Sequence, residues 1–158
     1  MEPRFLVDGM LGTTVKWLRA MGVDTIFKPD EDDSLLLREA ASTGRILLTS
    51  DRELARRGGP LVRLIETQIL EEQIAAALKG TSPALLNYNT GRCLCCNNVL
   101  DFIRGEEYQN LIPKYVFKIH DVFMRCSGCK RIYWEGTHVE GIRKQVEKLR
   151  RYLAGDRT

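Results

Sequence analysis

Residues 1–79 alternate four times between a short apolar run and an amphipathic segment, and this alternation constrains the fold most. The apolar runs predict strands, and the segments after them place apolar residues at helical spacing. The predicted strands are 4–7, 25–27, 45–49 and 61–65, and the predicted helices are 10–22, 33–42, 51–57 and 69–80. Strands and helices joined by short connections form right-handed crossovers and a parallel sheet covered on both faces. The sequence therefore predicts an α/β fold of three layers.

The pattern ends in 81–91, which contains proline, asparagine and glycine, and we expect the domain boundary there. Residues 1–88 would form the first domain, with 11 Lys+Arg and 13 Asp+Glu, a net charge of −2. Residues 89–158 would form the second, with 13 Lys+Arg and 8 Asp+Glu, a net charge of +5. The chain closes on an amphipathic helix starting near His138. A basic part beside an acidic part fits a nucleic-acid binder whose other part holds cations, or ordinary surface variation.

Length and composition bound the class of protein. The chain has 158 residues and 44% hydrophobic content, enough for one modest core. No stretch approaches the roughly 20 apolar residues that span a bilayer, and the N-terminus lacks the features of a secretory signal. We expect a soluble, cytoplasmic protein with no membrane segment.

The five cysteines all lie between positions 93 and 129. Cys93 and Cys96 form one C-x₂-C pair, and Cys126 and Cys129 form another. Two such pairs are the ligand pattern of a tetrahedral structural Zn²⁺ site. Cys95 is left over, although an exchange of Cys95 for Cys96 stays open. We expect Gly128 to allow the turn of the second pair, and the closed site to be a scaffold.

Three aspartates occupy matching positions in the strand–helix region. Asp8 follows the first predicted strand, Asp33 begins the helix after the second, and Asp51 follows the third. Parallel strands bring their carboxyl ends to one edge, where open α/β folds bind ligands. Carboxylates gathered there repel each other unless cations neutralise them, and oxygen ligands suit Mg²⁺ or Mn²⁺. The pattern predicts a metal site at this edge.

Other interpretations of the acids remain open. Asp33 and Asp51 stand where a helix N-cap belongs, and aspartate is a favoured N-cap. Glu39 is a rival for the second acid, although it falls off the apolar stripe of its helix. Residues 30–32 are either a solvated acidic run or contain a replacement for Asp33. Glu53 is either an auxiliary ligand or an acid favourable to the helix dipole.

With these residues identified, the chain resembles the PIN-like ribonucleases, specifically the Mut-seven C-terminal RNase group, in which a PIN-like domain precedes a zinc ribbon. The matching stretches are FLVDGMLG (5–12), WLRAMGVD (17–24), DDSLLLREA (32–40), GRILLTSDREL (44–54), RCLCCNNVL (92–100) and CSGCKRIYWEGTH (126–138). They span about residues 5–138 in the family's order.

The resemblance implies a PIN-like α/β/α domain with a metal-dependent RNase site, followed by a zinc ribbon. Asp8, Asp33 and Asp51 would then bind the catalytic Mg²⁺ or Mn²⁺, and Cys93, Cys96, Cys126 and Cys129 would bind structural Zn²⁺. Arg19 matches a family arginine that would contact substrate phosphate or brace the acids. Ser50 departs from the family, which usually has a basic residue before the third acid. A clear fourth acid is also missing, unless Glu53 serves.

These observations predict a metal-dependent endoribonuclease that hydrolyses RNA. The alternative is a non-catalytic zinc-ribbon adaptor for RNA or protein on a PIN-like scaffold. His138 would either cap the closing helix or touch the acidic crevice. The basic residues of that helix would grip RNA backbone or form a solvated face. They are Arg143, Lys144, Lys148, Arg150 and Arg151.

Overall fold

The computed structural model describes residues 2–82, 91–134 and 137–155, leaving aside the side chains of 137–139. The described residues form six α-helices and seven β-strands. Among these residues, no helix is both long and apolar enough to cross a bilayer.

The first sheet has four parallel strands in the order β2-β1-β3-β4. They are β1 (Arg4–Val7), β2 (Asp24–Phe27), β3 (Ile46–Thr49) and β4 (Val62–Leu64). In the register of the sheet, Leu6 lies opposite both Ile26 and Leu47. All four strands run in one direction, so the segments that follow them emerge at one edge, called here the carboxyl edge. The opposite edge is called the amino edge.

Helices cover both faces of this sheet. They are α1 (Gly12–Ala20), α2 (Asp33–Thr43), α3 (Arg52–Gly58), α4 (Leu70–Ala77) and the closing helix α6 (Thr137–Leu153). Helix α5 (Lys114–Ile119) packs instead on the second sheet, described below. Successive strand residues point to opposite faces. Phe5 and Val7 pack with α1, α4 and α6, whereas Leu6 packs with α2 and α3. Each large apolar side chain buried in these layers stabilises the folded state by about 1.5–3 kcal/mol relative to an exposed one.

Local sequence signals explain where the helices end. Gly44 has a φ of +63° and caps α2, because its N–H donates to the carbonyl of Ala40. The helix predicted from residue 10 instead begins as a short 3-10 turn at Gly9–Leu11, which continues into α1.

The second sheet is antiparallel, in the order β5-β6-β7. Its strands are β5 (Leu100–Ile103), β6 (Phe123–Cys126) and β7 (Ile132–Trp134). Helix α5 packs on one face, where Phe117 stacks on Phe123 with ring centroids 6.2 Å apart. The buried apolar side chains of this ribbon are few, chiefly Ile112 and Phe123.

The predicted fold class is confirmed: the structure is mixed α/β, with a parallel four-stranded sheet and a cysteine-bearing ribbon. Residues 83–90 of the predicted boundary lie outside the described residues, and the division into 1–88 and 89–158 stays a prediction. The closing helix packs back on the first part of the chain, because Val146 and Leu149 lie in the core with α1 and α4.

Candidate functional site

The segments after β1 and β3 leave the sheet at the point where its strand order reverses. β1 and β3 are neighbours, but α1 packs on one face and α3 on the other. Such switch points open a crevice beyond the carboxyl ends of the strands, where α/β folds bind ligands. Asp8 directly follows β1, and Asp51 lies two residues beyond β3. Both acids therefore stand beside this crevice.

Thr49, the last residue of β3, joins the two acids through its hydroxyl group. Its side chain is fully buried. The hydroxyl donates a hydrogen bond to Oδ2 of Asp8 and accepts one from the Asp51 N–H at 2.9 Å. Oδ1 of Asp8 also accepts from the N–H of Met10 at 3.4 Å. These bonds orient the Asp8 carboxylate relative to the turn that carries Asp51.

Asp51 is the N-cap of α3. Its Oδ1 accepts hydrogen bonds from the N–H groups of Glu53 and Leu54, at 2.7 and 2.9 Å. The capping interpretation of Asp51 is therefore observed. Within the part of the chain that the structure describes, no hydrogen bond reaches Oδ2 of Asp51, so this oxygen is available to a ligand.

Asp33 is the first residue of α2 rather than its N-cap. The cap is Asp32, whose Oδ1 accepts from the N–H of Ser34 at 2.8 Å. This corrects both the capping interpretation of Asp33 and the placement of Asp32 in a merely solvated run. Arg57 of α3 pairs with Oδ2 of Asp33 at 3.0 Å and donates to the Ser34 hydroxyl at 3.4 Å.

Three of the other acids considered from the sequence have basic partners. Lys28 pairs with Glu39 at 2.7 Å and with Glu31 at 3.3 Å. Arg56 donates two hydrogen bonds to Glu53, at 2.7 and 2.9 Å, and these hold the pKa of that carboxyl below its ordinary value. Both the rival Glu39 and the auxiliary Glu53 are thus engaged in ion pairs.

The three predicted metal-binding aspartates are connected in two groups. Asp8 and Asp51 are linked through Thr49, whereas Asp33 is linked to α3 through Arg57. Among the described residues, the four cysteines are the set of three or more potential ligands whose donor atoms all lie within 4.8 Å. The aspartates are not so compact a set, and their shared role as ligands stays a prediction.

The cysteine cluster has the dimensions of a tetrahedral metal site. Sγ of Cys93 lies 3.4 Å from Sγ of Cys129, and Sγ of Cys96 lies 3.3 Å from Sγ of Cys126. These separations exceed the length of a disulfide bond, which is about 2.05 Å. Four sulfurs around Zn²⁺ at about 2.3 Å stand about 3.8 Å apart, so the cluster fits Zn²⁺.

The two C-x₂-C segments, called here the first and second knuckles, share one backbone design. In each, the N–H of the first cysteine donates to the carbonyl five residues later, at 2.8 Å from Cys93 and 2.9 Å from Cys126. The carbonyl of the same cysteine accepts from the N–H four residues later, at 2.9 and 3.1 Å respectively. The residue after the second cysteine has positive φ, +68° at Asn97 and +64° at Lys130. Each loop therefore closes on a left-handed residue.

Gly128 does not supply the turn conformation expected of it, because Asn97 and Lys130 hold the positive φ angles. Its requirement is space. A Cβ atom at this position would lie 2.1 Å from Nδ2 of Asn98 and 3.3 Å from Sγ of Cys96. The second knuckle can approach the first closely because residue 128 has no side chain.

Hydrogen bonds favour thiolates in the first knuckle. The backbone N–H of Asn98 and then its side-chain amide lower the pKa of Cys96 to about 5. Burial raises the pKa of Cys93, but the Tyr133 hydroxyl, 3.1 Å from Sγ, and nearby N–H groups outweigh it and lower that pKa. Burial and then this contact raise the pKa of Tyr133, so its hydroxyl stays protonated and donates. The thiolate is the form that binds zinc.

Cys95 lies outside the four-cysteine set, and its side chain is exposed. The alternative in which it replaces Cys96 as a ligand is therefore not adopted by this structure. Its backbone has a different role, because the Cys95 carbonyl accepts a hydrogen bond from Arg19.

Arg19 braces the first knuckle and not the acids. Helix α1 starts at the carboxyl edge and ends at the amino edge, so Arg19, near its end, stands away from Asp8. Its guanidinium donates to the carbonyls of Thr25, Leu94 and Cys95, each at 2.9 Å. Burial lowers its pKa, while thiolate charge in the knuckle opposes that shift. The four-cysteine cluster therefore lies at the edge of the sheet opposite the aspartates.

Asn97 makes the second attachment to the amino edge. Its Oδ1 accepts from the N–H of Thr25 at 2.9 Å, and its Nδ2 donates to Asp24 at 2.7 Å. Asp24 also binds Arg45 through two hydrogen bonds of 2.9 Å. Burial raises the pKa of Asp24, but the hydrogen bonds from Arg45 and Asn97 outweigh it and lower that pKa. This network ties the knuckle to β2 and to the start of β3.

We predict that Asn97→Ala destabilises the zinc-bound protein by about 2–5 kcal/mol. The substitution leaves the buried Thr25 N–H without its hydrogen-bond acceptor, which costs about 1–3 kcal/mol. It also places alanine in a left-handed conformation, which costs about 1–2 kcal/mol. Urea unfolding measures the change. Asn97→Gly is the matched control, because it removes the same amide without the strain. A free energy of unfolding for Asn97→Ala within about 0.5 kcal/mol of wild type would contradict this account.

The basic residues of α6 are partly paired with acids. Lys148 binds Glu71 of α4 at 2.7 Å, and Arg151 lies 3.5 Å from Glu147. Lys144 lies 3.4 Å from Glu140. The side chain of His138 lies outside the described residues, so both interpretations of this histidine stay open.

Two residues of the carboxyl edge are not identified by the strand–helix pattern. Thr49 ends a predicted strand, and its hydroxyl, two positions before Asp51, is the signal that points to a role beside that acid. Arg57 ends the predicted helix 51–57, and nothing in the sequence links it to Asp33, 24 positions away.

Fold and site together define an α/β protein with two aspartates at its switch point and a four-cysteine ribbon that fits zinc at the opposite edge. A family model, the Mut7-C RNAse domain, matches residues 3–146. The chain belongs to this family. Comparison with curated proteins gave no match, and comparison with solved structures gave none. Family membership indicates a nuclease-like role with RNA as the substrate.

Proposed function

We propose that the protein is a metal-dependent ribonuclease with a PIN-like site at the carboxyl edge. Asp8, Asp33 and Asp51 would hold Mg²⁺ or Mn²⁺, and the reaction would be hydrolysis of an RNA phosphodiester. Residues 1–88 would carry the chemistry, and 89–158 would carry the structural zinc.

The hydroxyl of Thr49 is the observation that carries this proposal. It donates to Asp8 and accepts from the N–H of Asp51, so a fully buried group orients two acids at the switch point. The donor set consists of carboxylate oxygens, which are the ligands of hard cations. A carboxylate oxygen that already accepts one hydrogen bond keeps a lone pair for a cation. The residues present therefore fit Mg²⁺ or Mn²⁺.

The chain's own residues would position the charges and the substrate. When bound, a divalent cation neutralises the acids, polarises the phosphate and lowers the pKa of a water nucleophile. Thr49 and the Met10 N–H hold Asp8 in one orientation, and the first turn of α3 holds Asp51. Arg57 would release Asp33 to the cation, and its guanidinium would then face the RNA phosphates. That guanidinium would replace the basic group missing at Ser50.

We predict that Asp8→Asn lowers Mn²⁺-dependent cleavage of RNA by at least about 100-fold. The substitution removes a ligand charge, and loss of a mere partner of a metal ligand already costs about 10–100-fold. Asparagine can still accept from the Met10 N–H through Oδ1, and its Nδ2 can donate to the Thr49 hydroxyl instead of accepting from it, so the fold should persist. The measurement compares both proteins, purified in parallel, on single-stranded and structured RNA.

The rival is a zinc-ribbon adaptor that binds RNA or protein without cleaving it. The ion pair of Asp33 with Arg57 favours it, because that acid already has a partner. Equal cleavage by wild type and Asp8→Asn, or none by either, would remove the nuclease proposal and leave the adaptor.

A further inference from the structure

The short helix α5 presents one side to solvent that combines cations with an aromatic ring. Lys114, Tyr115, Lys118 and Ile119 are all exposed, and 72% of Tyr115 is accessible. At 3.6 residues per turn these four positions fall on one side of the helix. The helix, KYVFKI, carries no acidic residue.

The opposite side of α5 is anchored. Val116 and Phe117 are half-buried, and the ring of Phe117 stacks on Phe123 of β6. A Cβ atom at Gly105 would lie within 3.2 Å of Phe117 and 2.7 Å of Phe123, so the backbone packs closely against both rings. The exposed side, called here the α5 platform, is therefore held on the ribbon sheet.

We propose that the α5 platform binds single-stranded RNA, with Tyr115 stacking on an unpaired base and Lys114 and Lys118 contacting the adjacent phosphates. The inference rests on the proposed function, because it names where that site's substrate is held.

The chemistry of the platform favours RNA over a protein partner. Proteins that hold single strands combine aromatic side chains, on which bases stack, with cations that follow the backbone. Two lysines on a helix without acids complement phosphate charge. A second exposed aromatic, Phe102, lies on the other face of the ribbon sheet, opposite Met124 in the strand register. Its strand, LDFI, contains no lysine that could contact phosphate.

Binding is tested with the inactive Asp8→Asn protein, so that cleavage does not interfere. The probe is a fluorescein-labelled oligouridylate of about 20 nucleotides, longer than the usual site size of a single-strand binding domain. Adding Tyr115→Ala should weaken binding by about fivefold to 100-fold, whereas Tyr115→Phe, which keeps the ring, should change it by less than about twofold.

Phe102→Ala is the matched control, because Phe102 and Tyr115 are both 72% exposed and lie on the same ribbon. It should leave the affinity unchanged. Equal losses from Phe102→Ala and Tyr115→Ala would overturn the proposal, since the effect would then belong to general apolar surface. Unchanged affinity in Tyr115→Ala would overturn it as well and would leave the platform to a protein partner.

The lysines are tested by salt dependence. Lys114→Gln with Lys118→Gln should reduce the slope of log affinity against log salt by about 1.4, at about 0.7 per phosphate contact. The control pair is Lys16→Gln with Lys79→Gln, two exposed lysines of the first part of the chain, which should keep the slope. An identical slope in both double variants would contradict phosphate contacts at the platform.

Turnover separates this inference from the proposed function. In the otherwise wild-type protein, Tyr115→Ala should raise KM for RNA at unchanged kcat, as loss of substrate binding alone does. Normal cleavage by Tyr115→Ala with an unchanged KM would contradict RNA binding at the α5 platform, and the ribonuclease proposal would be unaffected. Absence of any RNA binding and cleavage in wild type would sink the nuclease itself.

Discussion

Removal of zinc should unfold the ribbon between residues 92 and 134 and loosen the sheet edge to which it is attached. The ribbon buries few apolar side chains of its own. A unit of this size seldom folds without a metal or disulfides, and a structural zinc contributes about 10–16 kcal/mol of apparent binding free energy. Metal analysis should find about one zinc per chain, and Cys93→Ser with Cys126→Ser should lose both the zinc and the ribbon structure.

Cys95→Ser is the matched control, because this exposed cysteine lies outside the cluster, and it should keep the zinc. Hydrogen exchange locates the effect. The N–H of Thr25, which donates to Asn97, should lose protection with the metal, whereas that of Lys28, which donates to Val7 at the far edge, should keep it. A folded ribbon without zinc, or zinc retained by the double variant, would contradict the assignment.

Acid should have the same effect as chelation. Zinc binds thiolates, so protons compete with the metal for the four cysteines and the affinity for zinc falls as the pH falls. Hydrogen bonds from Asn98 lower the pKa of Cys96 and so keep its thiolate to lower pH than an ordinary thiol would. Far-UV circular dichroism against pH should show the ribbon unfolding as the solution is acidified.

The strand–helix alternation was predictable because β1 and β3, the central strands of the first sheet, contain the continuous apolar runs 5–7 and 46–48, as buried parallel strands require. Helix ends were predictable where a glycine takes positive φ, as at Gly44. The ribbon strands were harder to bound. In β5 the first and last residues are half-buried and the two residues between them are exposed. This pattern is neither a strict alternation nor a continuous apolar run, the two sequence signals of a strand.

The candidate site was predictable as far as sheet geometry reaches. Asp8 and Asp51 follow neighbouring parallel strands, so the position of both acids at one edge follows from strand order. The contact of Arg57 with Asp33 and that of Arg19 with Leu94 join residues 24 and 75 positions apart. Such contacts depend on how helices and ribbon pack, which local patterns do not encode.

Asp51→Asn should abolish Mn²⁺-dependent cleavage, by at least about 100-fold, while leaving the free energy of unfolding nearly unchanged. Asparagine keeps Oδ1 to accept from the N–H groups of Glu53 and Leu54, so the cap of α3 survives. It removes the charge at Oδ2, the oxygen available to a cation. Asp51→Ala loses the cap as well and should destabilise the protein by about 0.5–2 kcal/mol. Urea unfolding and RNA cleavage measure the two effects separately.

Asp32→Asn supplies the matched control for charge at a helix cap of the same edge. Asp32 caps α2 through one hydrogen bond to the Ser34 N–H and is not among the proposed ligands. Asp32→Asn should therefore keep both stability and cleavage. If Asp51→Asn cleaves RNA at the wild-type rate, Asp51 is a helix cap alone, because only its charge was removed. If Asp51→Asn and Asp32→Asn lose cleavage equally, cleavage depends on the general negative potential of the carboxyl edge. That result would contradict the proposal that Asp51 is a metal ligand.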